Sequence, residues 1–462
     1  MFINRNALAN LDQWLTSSIR KPLVIRGARQ VGKTALVRHF AASKKLHLIE
    51  INFERRPELR MAFQINDPKI ILSSLESILN QTFDLSNSLM FLDEIQIYPE
   101  LLAKLRWFAE EMPELPVISA GSLLEFVLED HTFSMPVGRI NYLHLEPLSF
   151  EEYLGAIGET QCLEWLMQYH WGDFLPDPLH EKYLKLVKQY SLIGGMPAAV
   201  ASWITSNSLA QTHQVHDELL ATYYDDFSKY AGRIPVLRLQ EVLTAVPKTL
   251  GEKCIYSHIN PDISSAQTKL ALDLLAKARL IHRVYHTDGN GIPLGAQIKE
   301  KKFKMLFLDI GLAGSTLDLN FNTFNPEHNL ETVNRGGISE QFVGQTLRTL
   351  KSYYVEPRLY YWLREEKGSN AEIDYLIQHQ QTVVPIEVKA GSTGSLKSLH
   401  LFMSLRKLDL AVRICSDLPS QTPVDVKLYD GTSVAYRLLT LPFYLTGQLH
   451  RLIQEAEVIQ HR

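Results

Sequence analysis

An apolar stretch, Lys21-Pro-Leu-Val-Ile25, runs straight into the glycine-rich segment Gly27-Ala-Arg-Gln-Val-Gly-Lys33-Thr34. After it, Ala35, Leu36, Val37 and Phe40 form a helical apolar stripe. The pattern demands a buried parallel strand, a tight loop and a helix. Because Gly27 and Gly32 carry no side chains, the loop can turn its backbone N–H groups inward, with Ala28, Arg29, Gln30 and Val31 completing a cradle for phosphates. Lys33 then reaches the β and γ phosphates of a nucleotide, and Thr34 offers a hydroxyl oxygen to a bridging Mg2+. An ordinary glycine-rich turn is the competing reading, and the flanking strand and helix weigh against it.

Ser88-Leu-Met-Phe-Leu-Asp93-Glu94 is a second apolar strand, ending in two carboxylates at the edge where α/β sheets bind ligands. Asp93 suits the Mg2+ ion, and Glu94 suits the orientation of an attacking water. Alone, the pair would also suit a helix start, since Asp is a good N-cap. Pro116-Val-Ile-Ser-Ala-Gly-Ser122 repeats the strand-then-polar pattern. Ser119 or Ser122 is placed to contact the γ phosphate or the water, although the segment equally suits a plain strand-to-helix turn. Gly138-Arg139 precedes another apolar strand. Arg139 is a candidate charge stabiliser for phosphoryl transfer, in cis or from a neighbouring subunit, and a surface salt bridge is the equal alternative.

GARQVGKT at 27–34, FLDEIQ at 91–96, the Gly-Ser turn at 121–122 and the run GR…LxPLSFxEYL over 138–154 together resemble the AAA-type ATPases of prokaryotes that carry a C-terminal domain of unknown function. The resemblance covers the first third of the chain and continues beyond it. It implies an AAA-type parallel sheet over 1–154, ATP rather than a guanine nucleotide, and homo-oligomers.

At 462 residues the chain is too long for one ordinary core, at roughly 100–200 residues per domain. Helix formers and aromatics dominate 155–235, as in Glu181-Lys-Tyr-Leu-Lys-Leu-Val-Lys-Gln-Tyr190, which predicts a helical bundle. Leu192-Ile-Gly-Gly-Met-Pro197 interrupts it, as a Gly-Gly-x-Pro turn does in the same family; it reads as a helix–helix turn or as a loop coupling nucleotide state to the rest. Over 236–318, a helix at 264–280 and strands at 280–286 and 302–308 predict a winged helix. Lys269, Lys277, Arg279, Arg283, Lys299, Lys301 and Lys302 supply cations for DNA, although winged helices also dock proteins. Asp309 reads as a strand end and turn, and matches the family's Asp-x-Gly-Leu signature.

The last stretch, 319–462, holds a helix carrying Glu340, then Glu372-Ile-Asp374, then Pro385-Ile-Glu387-Val-Lys389 on two apolar strands. Side chains alternate along a strand, so Glu387 shares a face with Lys389 and Glu372 with Asp374. If the two strands pair as a hairpin, Asp374 and Glu387 converge beside Lys389, and Glu340 completes an oxygen cage for Mg2+ or Mn2+. Lys389 would position or activate water. The arrangement resembles the PD-(D/E)xK nuclease superfamily, with Ile373 where the signature has proline. A salt-bridged strand surface is the plainer reading of the same residues.

The 45% apolar and 21% charged composition predicts a globular chain, and no apolar run is long enough to cross a bilayer. With no signal-like start, the expected compartment is the cytoplasm. Cys162, Cys254 and Cys415 lie far apart and read as reduced. The net charge of −4 supplies no global attraction to nucleic acid, so DNA would need a local basic face. The expectation is an α/β multidomain protein: a P-loop sheet, a helical and winged-helix middle, and a restriction-endonuclease-like C-terminal domain. It would couple ATP hydrolysis to DNA processing. A nucleotide-dependent scaffold for DNA or protein, with a non-cutting nuclease fold, is the rival; a metabolic NTPase is the more distant one.

Overall fold

The computed structural model describes residues 2–122, 124, 138–230, 234–319, 335–366, 369–391 and 395–460. Two compact units divide the chain: the first holds 1–147 with 277–279 and 351–356, the second 148–276, 280–350 and 357–462.

The first unit is built on β1 (Leu23–Arg26), β2 (His47–Asn52), β3 (Ser88–Asp93), β4 (Val117–Ala120) and β5 (Asn141–His144). They pair in parallel in the order β2-β3-β4-β1-β5. All six residues of β3 are buried, as a strand covered on both faces requires. One core layer packs Met90 and Leu92 of β3 with Leu105 and Phe108 of the helix Leu101–Glu111. β4 lies between β1 and β3, and the C-terminal ends of such parallel strands are where ligands of α/β sheets sit.

The second unit contains the expected helices, among them Asp177–Ile193, Pro197–Ser206 and Leu209–Asp226, together with one mixed eight-stranded sheet. Its strands are β6 (Ile281–Thr287), β7 (Ile298–Phe307), β8 (Leu359–Glu366), β9 (Ser369–His379), β10 (Thr382–Val388), β11 (Leu410–Cys415), β12 (Ser420–Lys427) and β13 (Ser433–Pro442). The order is β12-β13-β11-β10-β9-β8-β6-β7.

A helix, Ser265–Lys277, does precede the antiparallel hairpin β6–β7. The hairpin is not confined to a unit of its own, however: β6 pairs in parallel with β8. The hairpin of the expected winged helix and the strands of the expected nuclease-like fold thus share one sheet. Its cations are also largely spoken for. Arg283 pairs with Asp273, Lys299 with Asp288 and Lys302 with Glu365. Arg279 lies in the first unit, buried, within 3.7 Å of Glu356. Most of the basic face expected for DNA is therefore neutralised within the fold.

Asp309, expected at a turn, caps the helix Ile310–Thr316, its Oδ1 accepting from the Gly311 and Leu312 N–H groups at 3.0 and 3.2 Å. Oδ2 accepts from Gly195 N at 2.6 Å and Gln345 Nε2 at 3.1 Å. Here lies the physical reason for the Gly-Gly-Met-Pro turn: Gly194 has φ 75°, and a Cβ on it would collide with the Asp309 carboxylate. Two separate sequence signatures are thus halves of one buried hydrogen-bonded joint.

Candidate functional site

The loop after β1 enters the helix Lys33–Ser43 through Gly32, whose φ of 97° suits glycine. Lys33 is buried, and its Nζ donates to the carbonyls of Gly27 and Ala28 at 3.0 and 2.8 Å, holding the ammonium over the mouth of the loop. Ala28 and Val31 are buried, and Gln30 adopts φ 63°. From outside the motif, buried Arg5 clamps the loop: Nη1 donates to Val31 O at 2.9 Å and Nη2 to Glu146 O at 2.6 Å.

Asp93 ends β3. Its Oδ2 accepts from the Thr34 hydroxyl at 3.0 Å and from Asn52 Nδ2 at 3.3 Å, while Oδ1 accepts from the Glu94 N–H at 3.1 Å. Burial, and next the Glu94 charge, push the Asp93 carboxyl up; these three donors only partly offset that. A cation beside Asp93 would relieve the charge, and hydroxyl plus carboxylate is the hard oxygen set that Mg2+ prefers. The residues fit that ion. Glu94 has φ 52°, a backbone that costs a non-glycine residue roughly 1–3 kcal/mol and is concentrated at functional sites. Its Oε2 is held by Gln96 Nε2 in a short hydrogen bond, and Gln96 in turn abuts Gly121 of the turn after β4.

The remaining predicted residues divide. Ser122 is buried two positions beyond β4. Ser119 lies within β4, its hydroxyl 3.5 Å from Leu23 O of the neighbouring strand, a structural contact. Arg139 donates to Glu110 Oε1 at 2.7 Å on a half-exposed surface, the salt-bridge alternative.

In the second unit, β9 and β10 pair antiparallel with Ile386 opposite Tyr375, a register that sets Glu387 against Asp374. The cluster differs from the expected cage in membership. Carboxylate oxygens of Glu340, Glu372 and Asp374 lie within 4.8 Å of one another, and Glu387 is not part of that trio. Instead, Glu387 Oε1 bonds Lys389 Nζ at 2.5 Å, and Asp374 Oδ2 accepts from the Val388 N–H at 2.7 Å. Burial, then the Asp374 charge, push Glu387 up to about 8 against the pull of Lys389; burial raises Glu340 to about 8 despite Lys304. The unforeseen member is Lys304 of β7. Only 3% exposed, its Nζ lies 2.9 Å from Glu340 Oε2, is ion-paired with Glu372 and stands 3.7 Å from Asp374 Oδ1. Burial alone would lower its pKa, but the three carboxylates outweigh burial and hold it well above the ordinary lysine value.

The first site has a recognised family setting. Residues 19–154 match the AAA domain family. Two further matches, at 184–323 and 335–425, are to domains of unknown function, DUF8612 and DUF4143. No curated protein matches the chain. Among solved structures, the chain is similar to the Aeropyrum pernix ORC2 protein in ADPNP-ADP complexes, at 13% identity and TM-score 0.37, covering 69% of this chain and 94% of that one. It is also similar to C. elegans PCH-2, at 10% identity and TM-score 0.26, covering 44% of this chain and 61% of that one.

Around the nucleotide loop, sequence reading missed Arg5, Asn52 and Gln96. Gln96 had a signal, as the last residue of FLDEIQ; Arg5 and Asn52 had none, because each reaches the site only through the tertiary fold. In the DUF4143 segment, strand alternation puts Glu372 on the face of Asp374 but gives it no role. Lys304 lies outside that segment and was one lysine among several.

Proposed function

We propose that the chain is an ATP-hydrolysing switch whose nucleotide state acts on a nuclease-like, DNA-processing second unit. The bond between Thr34 and Asp93 carries the first half of this reading, because it joins the two oxygen donors a Mg2+–triphosphate requires beside a lysine-bearing phosphate loop. The backbone N–H groups of 27–34 receive the phosphates, and Lys33 exchanges the Gly27 and Ala28 carbonyls for charged phosphate oxygens, which make stronger bonds. Thr34 and Asp93 would hold Mg2+, which would supply neutralisation of the phosphate charge. Glu94, oriented by Gln96, aligns and polarises the attacking water, and Ser122, buried just beyond β4, is the candidate contact to the γ phosphate or that water. Arg139 would serve as a charge stabiliser only on leaving Glu110, within this chain or toward a neighbour in a homo-oligomer. In the test, Lys33→Ala weakens nucleotide binding and Glu94→Gln retains ATP with little turnover. Unchanged turnover in both would overturn the assignment.

The second half rests on the sequence resemblance to PD-(D/E)xK nucleases and on the register that sets Asp374 against Glu387 with Lys389 adjacent. A second reading, a nucleotide-dependent scaffold that binds DNA or protein without cutting, is favoured by the lysine between Glu340 and Glu372. Stimulation of ATP turnover by DNA tests the link to DNA, since a metabolic NTPase would ignore it.

A further inference from the structure

We infer that Lys304 is the resident cation of the acidic cluster and stands where a nuclease of this kind would carry a divalent metal. The inference deepens the non-cutting reading above: a domain whose cage already encloses an ammonium works without a catalytic metal.

Three observations lead there. First, the oxygens most suited to a metal, on Glu340, Glu372 and Asp374, all face one point, and that point is taken by Lys304 Nζ. Mg2+ or Ca2+ needs oxygens at about 2.0–2.6 Å, closer than an ammonium, so ion and lysine cannot share the space. Two cations in so buried a place would also repel strongly. Second, the other acceptors are committed: Asp374 Oδ2 to the Val388 N–H and Glu387 Oε1 to Lys389. Among the described residues, Glu387 Oε2 is a buried oxygen beside this cluster without a partner, and an ion bound there would sit against the Lys389 ammonium on the same carboxylate and draw the rest of its roughly six oxygens from water. Third, Lys304 is anchored on its other side, its Nζ 5.4 Å from the centre of the Tyr361 ring, a cation–π contact. A lysine fixed on every side by charge and ring is a built part of the site. The residues present therefore do not fit the Mg2+ or Mn2+ expected here, and no cleavage step through such an ion follows from them.

The test is Mn2+ binding to the nucleotide-free full chain, read by electron paramagnetic resonance. Wild type is expected to show no Mn2+ site that depends on Glu372. Lys304→Met, which empties the cage at similar length, should gain one equivalent of Mn2+ bound roughly tenfold or more tighter than any Mn2+ that wild type holds, and adding Glu372→Gln should remove it. Lys304→Gln serves if the methionine variant fails to fold. A wild-type Mn2+ site that Glu372→Gln abolishes would overturn the inference, as would a folded Lys304 variant that gains none. A gel shift with DNA on the same samples judges the scaffold reading separately, because Mn2+ binding is measured whether or not DNA binds.

Discussion

The Thr34 hydroxyl donates to Asp93 Oδ2 at 3.0 Å, tying the first turn of the helix Lys33–Ser43 to the end of β3 across the intervening β4. Removing it takes away the oxygen proposed for Mg2+ and a donor that helps keep buried Asp93 ionised. Thr34→Ala is expected to lower ATP turnover by about 10- to 100-fold and to raise the Mg2+ concentration for half-maximal rate. Thr34→Ser, which keeps the hydroxyl, should stay close to wild type. Steady-state rates over a Mg2+ titration check both.

Gln96 makes a different prediction, because it touches Glu94 rather than the phosphate loop. In Gln96→Ala the Glu94 carboxylate loses the Gln96 amide that orients it, and kcat should fall by about tenfold while nucleotide affinity holds. A fluorescent nucleotide gives the affinity and phosphate release gives kcat. Equal loss in both would assign Gln96 to folding of the site instead.

The Gly194–Asp309 joint predicts a stability loss in the second unit. Gly194→Ala combines a left-handed backbone with a collision against a buried carboxylate, for roughly 2–4 kcal/mol. Gly172→Ala is the control: its φ of 94° is equally unfavourable, yet nothing lies within 4 Å of a new Cβ, so about 1 kcal/mol is expected. Urea midpoints of the two variants separate backbone cost from steric cost.

The acidic cluster predicts a pH dependence. Glu340 and Glu387 are raised from 4.5 to about 8 in the folded chain, so between those values the folded state binds protons that the unfolded chain has released. Stability should therefore fall as pH rises through that window and level off above it, by at most about 1.4 kcal/mol per pH unit for each group. Glu387→Gln should flatten the slope. Urea unfolding between about pH 5 and 9 measures it.

The sequence was most readable where chemistry and backbone are local. Gly27 to Thr34 must be contiguous to wrap a phosphate, and the run Ser88 to Asp93 must be apolar to lie at the middle of a sheet, so both stand out in the chain. Asp374, Glu387 and Lys389 were placed on their strands because a period of two fixes which side chains share a face. What alternation cannot give is who arrives from elsewhere. β8 and β6 lie between β9 and β7 in the sheet, so no local pairing rule brings Lys304 to Glu372. The same limit hid Asn52 and Arg5, and it made the metal cage look open when its space was already filled. The hairpin of β6 and β7 was visible, but its partner β8 was not, since a parallel neighbour leaves no turn in the sequence to announce it.

That pairing of β6 with β8 bears on how the chain can be taken apart. Severing the backbone between 319 and 335 would strip β8 of its neighbour and leave a two-stranded hairpin that is marginal alone. The two halves should then precipitate when produced separately and recover solubility when produced together, as fragments that complement one another. Heredity faces the same arithmetic: the DUF8612 and DUF4143 segments, though counted as two families, would have to be inherited as a single package.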